Sequence, residues 1–213
     1  REILSSGEKT AAAMKTVPRE SMCIRSEQAD ITRDHRLLFW GGAEILQDPY
    51  LIAAKRMELE MDPTGSAIRR LVGTEEARFR FSREESKEVQ NLSAFQIEML
   101  FSETDTTPQR VVASNDASFR IVSAKESDTQ LRSSQIGIDL SATGIPTQLQ
   151  TADYTEIGRS SPAEWVWIQG GALVMHFFPG RAEPMDAVYQ DAARARRAAG
   201  GVFDDFWAKK LEI

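Results

Sequence analysis

The sequence predicts an all-β protein, a stack of antiparallel strands, and three features carry this prediction. Apolar and charged residues alternate with a period of two, as where Met57, Leu59 and Met61 are separated by glutamates. Turn signals such as residues 62–65 (DPTG) separate the alternating stretches. The whole pattern then recurs, which is typical of a protein built from repeated structural units.

The repeat has a period of about 40 residues. Residues 54–81 fall on residues 94–121 without a gap, and polar as well as apolar positions correspond. The matched pairs include Glu58 and Glu98, Thr64 and Thr104, Arg70 and Arg110, Ala77 and Ala117, and Phe79 and Phe119. Because apolar alternation alone would not keep Glu, Thr and Arg in register, we interpret the match as an internal repeat.

The first complete unit follows a strand predicted at residues 24–31. In this unit the strands 37–40 and 43–46 are predicted on either side of a turn at Gly41 and Gly42. A second turn at residues 47–49 leads into the long alternating strand that ends at Met61.

Later units are predicted from the same signals. Residues 133–140 repeat the alternating strand, residues 144–146 form its turn, and residues 148–157 form a weaker return strand. Residues 165–174 (WVWIQGGALV) resemble residues 38–45 (LFWGGAEI), the first of two possible alignments.

The second alignment matches Leu173, Met175 and Phe177 to residues 136–140. The Ala- and Arg-rich residues 192–199 favour a short helix by propensity, whereas the repeat requires a strand there.

We expect a single elongated domain over residues 1–213. Its units are residues 1–21 (partial), 22–86, 87–126, 127–160 and 161–213. Because the chain begins and ends within a unit, we expect a fragment of a longer repeat protein; a targeting segment or membrane anchor on that protein stays open.

The predicted inward side chains are all apolar and define the candidate site. They are Phe39, Ile45, Met57, Leu59, Met61, Phe79, Phe81, Ile97, Met99, Phe101, Phe119, Ile121, Ile136, Ile138 and Leu140. Two interpretations are open. The residues form a dry core, or they line an apolar trough for acyl chains, which flexible Met side chains would suit.

The sequence contains few residues arranged for catalysis or metal binding. His35 and His176 have no Cys, Asp or second His at metal-ligand spacing, and we expect His176 to be a packed histidine and not a metal ligand. Cys23 is the only cysteine, which excludes an internal disulfide. The net charge of -6 gives no reason to expect nucleic acid. We therefore predict a protein that is not an enzyme and needs no cofactor or metal.

Four arginines are candidates for contact with anionic groups at the rim of the stack. The alternative is ordinary surface charge. These residues are Arg69, Arg70, Arg110 and Arg120.

The repeat resembles the OstA-like family of lipopolysaccharide transport proteins. Its Gly-led strand corresponds to residues 42–45 (GAEI), and its "A-D-x-hydrophobic-x-hydrophobic" strand to residues 54–59 (AKRMEL). The strand "hydrophobic-x-A-x-G-x-A-x-F" corresponds to residues 71–79 (LVGTEEARF) and again to residues 112–119 (VASNDASF). Lys55 and Phe95 depart from the family pattern, since they stand where Asp is usual.

The resemblance implies an open, twisted β-jellyroll in the periplasm of the Gram-negative cell envelope. Its interior would hold the acyl chains of lipopolysaccharide or a related lipid on the way between the inner and outer membranes. Its end strands would pair with other β-jellyroll transport proteins or with further copies of itself.

Two other functions are compatible with the residues. A filled β-repeat module would mediate protein–protein assembly at the cell envelope. A carbohydrate-active β-helix enzyme would need two suitably spaced carboxylates on one outer face, and the acidic residues here are spread.

Overall fold

The computed structural model describes residues 22–32, 34–47, 49–83, 88–103, 107–122, 128–181, 184–200, 202–208 and 211–212. Within those ranges the chain forms strands and turns and no helix, which confirms the predicted all-β class. The strands are β1 (Cys23–Arg25), β2 (Gln28–Ile31), β3 (Arg36–Gln47), β4 (Tyr50–Met61), β5 (Ile68–Arg83), β6 (Glu88–Phe101), β7 (Pro108–Val122), β8 (Asp128–Leu140), β9 (Pro146–Thr151), β10 (Thr155–Ser160), β11 (Glu164–Gly170), β12 (Leu173–Phe177), β13 (Pro184–Tyr189), β14 (Ala193–Ala199), β15 (Val202–Ala208) and β16 (Leu211–Glu212).

Strands β3 to β8 are long, and each is antiparallel to the next along the chain. Each pair is interrupted near its middle by a shift in register. Beside these shifts, residues 41–42, 75–76 and 115–116 have left-handed backbone angles, with φ between 58° and 87°. The shifts align across the sheet into one line, which we call the fold line.

The fold line bends one sheet into two layers. The first layer contains strands β2, β9, β12, β13 and β16 and, from the long strands, residues 36–40, 56–61, 68–74, 96–101, 108–114 and 135–140. The second layer contains strands β1, β10, β11, β14 and β15 and, from the long strands, residues 43–47, 50–54, 77–83, 88–94, 117–122 and 128–133. The layers separate from the fold line toward their hairpin turns, and we call that open side the mouth.

After β8 a few residues outside any strand interrupt the chain at the fold line, so that two short strands take the place of one long strand. Strand β8 pairs with β9 in the first layer and with β10 in the second, and residues 152–154 bridge them at the fold line. This arrangement corrects two predictions. The return strand expected at residues 148–157 is two strands, and the strand expected at residues 24–31 is also two, β1 and β2.

Gly41 and Gly42 were predicted to form a turn between two strands, and that prediction is wrong. They lie inside β3, because the residues on both sides of them pair with the same neighbour, β4. Two residues of positive φ bend this strand without reversing it, and glycine takes such angles at little cost.

The direction of each strand across the fold line decides between the two alignments of residues 165–174. Strand β3 runs from the first layer to the second, whereas β11 and β12 run from the second to the first. The match to residues 38–45 is therefore wrong. The alternative match of Leu173, Met175 and Phe177 to residues 136–140 is correct, since both segments lie in the first layer.

The helix alternative for residues 192–199 is also wrong, because β14 (Ala193–Ala199) is a strand. It pairs with β11 on one side and with β15 on the other, so the backbone hydrogen bonds of two neighbours outweigh the helix propensity of Ala and Arg.

Small side chains line the inner side of the fold line. Ala43, Ala77, Ala113 and Ala117 are completely buried. A Cβ added at Gly73 would lie 3.0 Å from the Cβ of Ala54 in the other layer. At these positions the two layers approach closely and leave little room for a larger side chain.

Aspartate and serine side chains hold the hairpin turns of the first layer. The Asp62 carboxylate accepts hydrogen bonds from the Thr64 hydroxyl (2.7 Å) and from the backbone N–H groups of Ser66 (2.7 Å) and Ala67 (3.1 Å). These donors hold the pKa of Asp62 well below its usual range. In the corresponding turn after β8, the Ser141 hydroxyl accepts from the Ile145 N–H at 3.1 Å.

We expect Ala117→Leu to lower the free energy of unfolding by roughly 1–3 kcal/mol, the usual cost of overpacking a tight core site. The reason is that Ala117 is fully buried at the fold line. Urea unfolding measures the change. The control is Ser93→Leu, an exposed position beside the same line, and an equal cost for both variants would contradict the proposed geometry.

We expect Asp62→Asn to destabilise the protein in a pH-dependent way. Folding lowers the pKa of the Asp62 carboxylate, so the ionised carboxylate stabilises the folded protein above the unfolded pKa of about 4. This stabilisation is lost as the pH falls toward the folded pKa. The destabilisation should therefore be largest near neutral pH and should shrink below about pH 4. Thermal unfolding from pH 7 to pH 2 measures it, with exposed Asp116→Asn as control; a pH-independent difference would refute the assignment.

Candidate functional site

The space between the two layers holds the predicted inward residues. Thirteen of the fifteen are buried, with 0–9% of their surface exposed, and Met61 and Leu140 pack against the same cluster while partly buried. The strand pairing places Ile45, Phe79, Phe81, Phe119 and Ile121 on the second layer. The other ten lie on the first layer, so the two groups face each other across the interior.

The sequence analysis missed a second set of inward residues in the same cluster. Strand register identifies most of them: Leu71 pairs with Leu59 and Met99, and Val111 pairs with Met99 and Ile138. The set includes Tyr50, Ile52, Leu71, Leu92, Val111, Leu131, Leu149, Ile157, Ile168, Leu173, Met175, Phe177 and Tyr189. The alternation of apolar and polar residues within each strand could have identified these residues. Because the bends within the strands were not recognised, the alternation was not followed across them.

Several polar groups enter the interior, and hydrogen bonds satisfy them. The hydroxyls of Thr151 and Thr155 are 2.6 Å apart, and the Leu173 N–H donates to the Thr151 oxygen at 2.8 Å. The Tyr189 hydroxyl donates to the carbonyls of Thr155 and Ile168, both at 3.4 Å. Burial raises the pKa of Tyr189, so its hydroxyl stays neutral and no charge enters this part of the interior.

The middle of the interior is filled by these side chains. Two concavities on the surface are lined mainly by outward-facing residues. One, of about 610 Å³, lies beside Trp40 and Arg56, and the other, of about 170 Å³, lies beside Arg110 and Gln135. The burial of the inward side chains favours the dry-core interpretation for the central interior.

The two ends of the interior are different, because inward-facing apolar residues are exposed there. Ile31 on β2 is 67% exposed at one end. At the other end Met185 on β13 is 48% exposed, and Val202 and Phe206 on β15 are 62% and 53% exposed. The layers thus cover each other in the middle of the stack and leave apolar surface uncovered at its ends.

The edge strands are also open. Within the described ranges, β1, β2, β15 and β16 each pair with a neighbour on one side alone. Strand β15 is held to β14 by Asp205, which forms ion pairs with Arg194 (2.6 Å) and Arg196 (3.3 Å). The Arg194 hydrogen bond lowers the pKa of Asp205 to about 2, so this pairing persists across the physiological pH range.

The four rim arginines do not form one site. Three of them face outward and pair with carboxylates on neighbouring strands, which makes them ordinary surface charge. These pairs are Arg70 with Glu98, Arg110 with Asp139 and Arg120 with Asp128. The Nη1 atom of Arg69 is buried without a hydrogen-bond partner, in a side chain that is otherwise partly exposed.

His176 was predicted to be a packed histidine, but its side chain is 44% exposed. Leu173, Met175 and Phe177 point inward on β12, so the intervening His176 points outward. Its Nδ1 lies 2.6 Å from an oxygen of Asp186 on the next strand.

Other candidate sites add little. Among the described residues, no group of three or more His, Cys, Asp or Glu side chains could hold a metal ion. In the same part of the chain, no helix has the length and apolar character to cross a membrane.

Comparison with known proteins gives distant structural likeness alone. No protein-family model matches the chain, and no curated protein matches it. Among the solved structures that match is LptH from Pseudomonas aeruginosa, described as the LptA homologous periplasmic component of the conserved lipopolysaccharide transport device. The match covers 61% of this chain and 82% of that chain, at 14% identity and a TM-score of 0.46. This likeness is too distant to assign the chain to a family or to give it a function.

We expect Met99→Ala to lower the free energy of unfolding by roughly 2–5 kcal/mol, the usual cost of emptying a packed methionine site. Met99 is 1% exposed between the layers, whereas the adjacent Leu100 faces outward and is 38% exposed. Leu100→Ala is therefore the matched control and should cost much less. Chemical denaturation measures both; if the two variants cost the same, the interior is not packed as described.

Proposed function

We propose that the chain is a lipid-carrying module that holds the acyl chains of lipopolysaccharide, or of a related lipid, between its two layers. One observation carries the proposal. The apolar interior is continuous from β3 to β13, and its apolar lining becomes exposed at both ends of the stack. Exposed apolar surface such as that of Ile31, Val202 and Phe206 is typical of a site that contacts a partner or a ligand.

The energetics favour an acyl chain as the guest. Each buried CH₂ group contributes about 0.8 kcal/mol, so a chain of a dozen carbons can compensate for separating the packed side chains. Methionine and phenylalanine side chains can then repack around the guest, as Met57, Met99 and Phe101 are placed to do. Carriage therefore requires the layers to move apart about the fold line.

The open edges provide the means of assembly in this proposal. An unpaired edge strand is a template for another strand, so β1 or β2 of one module would pair with a terminal strand of the next. The exposed interior ends would then meet and form a longer apolar path. A periplasmic location, non-enzymatic action and neighbouring jellyroll partners belong to the same proposal and derive from the repeat's resemblance to lipopolysaccharide transport proteins.

A structural module is the second candidate, and the filled middle of the interior favours it. Residues such as Leu59, Ile97 and Ile136 are fully buried without any guest. In that case the stack would space or dock other envelope proteins through its edges and would carry no lipid.

Photo-crosslinking at two adjacent residues separates these functions. A photoreactive benzoylphenylalanine at Phe101, which faces inward and is 6% exposed, should become attached to purified lipopolysaccharide on irradiation. The same residue at Leu100, which faces outward, is the matched control and should not. Circular dichroism checks that both variants are folded.

The other results are equally informative. Labelling at neither position, with folded protein, contradicts lipid carriage and supports the structural module. Equal labelling at both positions indicates adsorption to the surface and also contradicts carriage between the layers.

A further inference from the structure

The side chain of Tyr50 joins the two layers at the mouth, far from the fold line. Tyr50 begins β4 in the second layer, and its hydroxyl donates a hydrogen bond to the carbonyl of Gly144, in the first-layer turn after β8. These residues are 94 positions apart in the chain, and the contact is buried. It spans the side of the stack where the layers are free to separate.

The fit between the two groups is close on both sides. The Tyr50 ring lies against Phe79 and Phe81, with ring centroids 5.6 Å away in each case. A Cβ added at Gly144 would lie 1.5 Å from the Tyr50 oxygen, and the φ of Gly144 is +74°. Position 144 therefore requires glycine, both for its positive φ and for the space that the Tyr50 ring occupies. The Tyr50 hydroxyl and the Gly144 carbonyl form a specific contact.

Other glycines in first-layer turns have no such neighbour. A Cβ at Gly65 would meet only His35, at 4.0 Å, and a Cβ at Gly180 would have nothing within 4 Å. Both have left-handed angles like that of Gly144. Of these three glycines, Gly144 is thus the one whose missing Cβ leaves room for a tyrosine from the opposite layer.

We propose that Tyr50 and Gly144 form a clasp that holds the two layers closed at the mouth, and that its release gives access to the interior. The backbone connects the layers at the fold line, so they can part only by rotating about it. A contact at the mouth lies far from the axis of this rotation and therefore resists it most effectively. The clasp itself is a statement about the free protein; its role in lipid entry rests on the proposed function.

The first measurement follows the layers without any lipid. Spin labels are placed at Arg80→Cys in the second layer and Ala142→Cys in the first, both exposed positions, in a Cys23→Ser background. Pulsed electron paramagnetic resonance then gives the distance distribution between the labels. The closed protein should give one main distance.

Two variants should add a longer distance. Tyr50→Phe removes the hydroxyl and should raise the open population about fivefold, the effect of losing one hydrogen bond of average strength. Gly144→Ala should raise it further, because its methyl group collides with Tyr50. The matched controls are Tyr154→Phe, which removes an exposed hydroxyl, and Gly180→Ala, which carries the same backbone strain without the collision.

A double variant separates the collision from strain in the turn. In a Tyr50→Ala background, Gly144→Ala should open the layers no further than Gly180→Ala does. If Gly144→Ala has its full effect without Tyr50, the turn acts through its own backbone and the clasp is refuted. The clasp is also refuted if Tyr50→Phe and Gly144→Ala both remain folded and keep the closed distance.

The lipid measurement tests the proposed function separately. The rate of lipopolysaccharide labelling at Phe101 should rise in Tyr50→Phe and stay unchanged in Tyr154→Phe. If the spin labels separate but no variant captures lipid, the clasp stands and lipid carriage fails. If the labelling rate rises while the label distance stays closed, lipid enters by another route and the clasp is overturned.

Discussion

The structure depends on the fold line, where one antiparallel sheet bends into two layers without losing its strand order. The bend needs left-handed residues on alternate strands and very small side chains on its inner face. Glycines supply the angles in β3, but Glu75, Glu76, Asn115 and Asp116 supply them in β5 and β7. Each such residue costs roughly 1 kcal/mol of backbone energy, which the buried interior must offset. The ion pair of Lys55 with Glu76 lies directly on this line.

The same constraint orders the interior. Near the fold line alanine occupies several fully buried inward positions, such as Ala43, Ala77 and Ala117, and larger residues such as Ile97 and Ile136 lie between them. On the central strands charge lies on the outer faces in pairs such as Arg110 with Asp139, whereas Glu164 and Arg197 form an ion pair on the inward side of β11 and β14. An apolar guest would meet its least resistance on the mouth side, where the side chains are long and few backbone bonds hold the layers together.

Alternation in the sequence was enough to predict the strands and fifteen inward residues, because the two faces of a half-buried strand differ in polarity. It could not predict where a strand bends. Gly41 and Gly42 have the composition of a turn, while residues 75–76 and 115–116 carry no glycine signal at all. Without the bend, the layer of each segment is undefined, which is why residues 165–174 had two alignments. The Tyr50–Gly144 contact was invisible for the same reason.

The closed middle and the uncovered ends together restrict how a lipid could pass. At the ends, Ile31, Met185 and Phe206 present apolar surface, so under the proposed function an acyl chain would reach it without separation of the layers there. In the middle, the same chain would have to displace packed side chains and rotate the layers apart. The proposed clasp at Tyr50 would resist that rotation. Under the proposed function, a stronger contact at Tyr50 would therefore stabilise the empty protein and slow the movement of lipid through it.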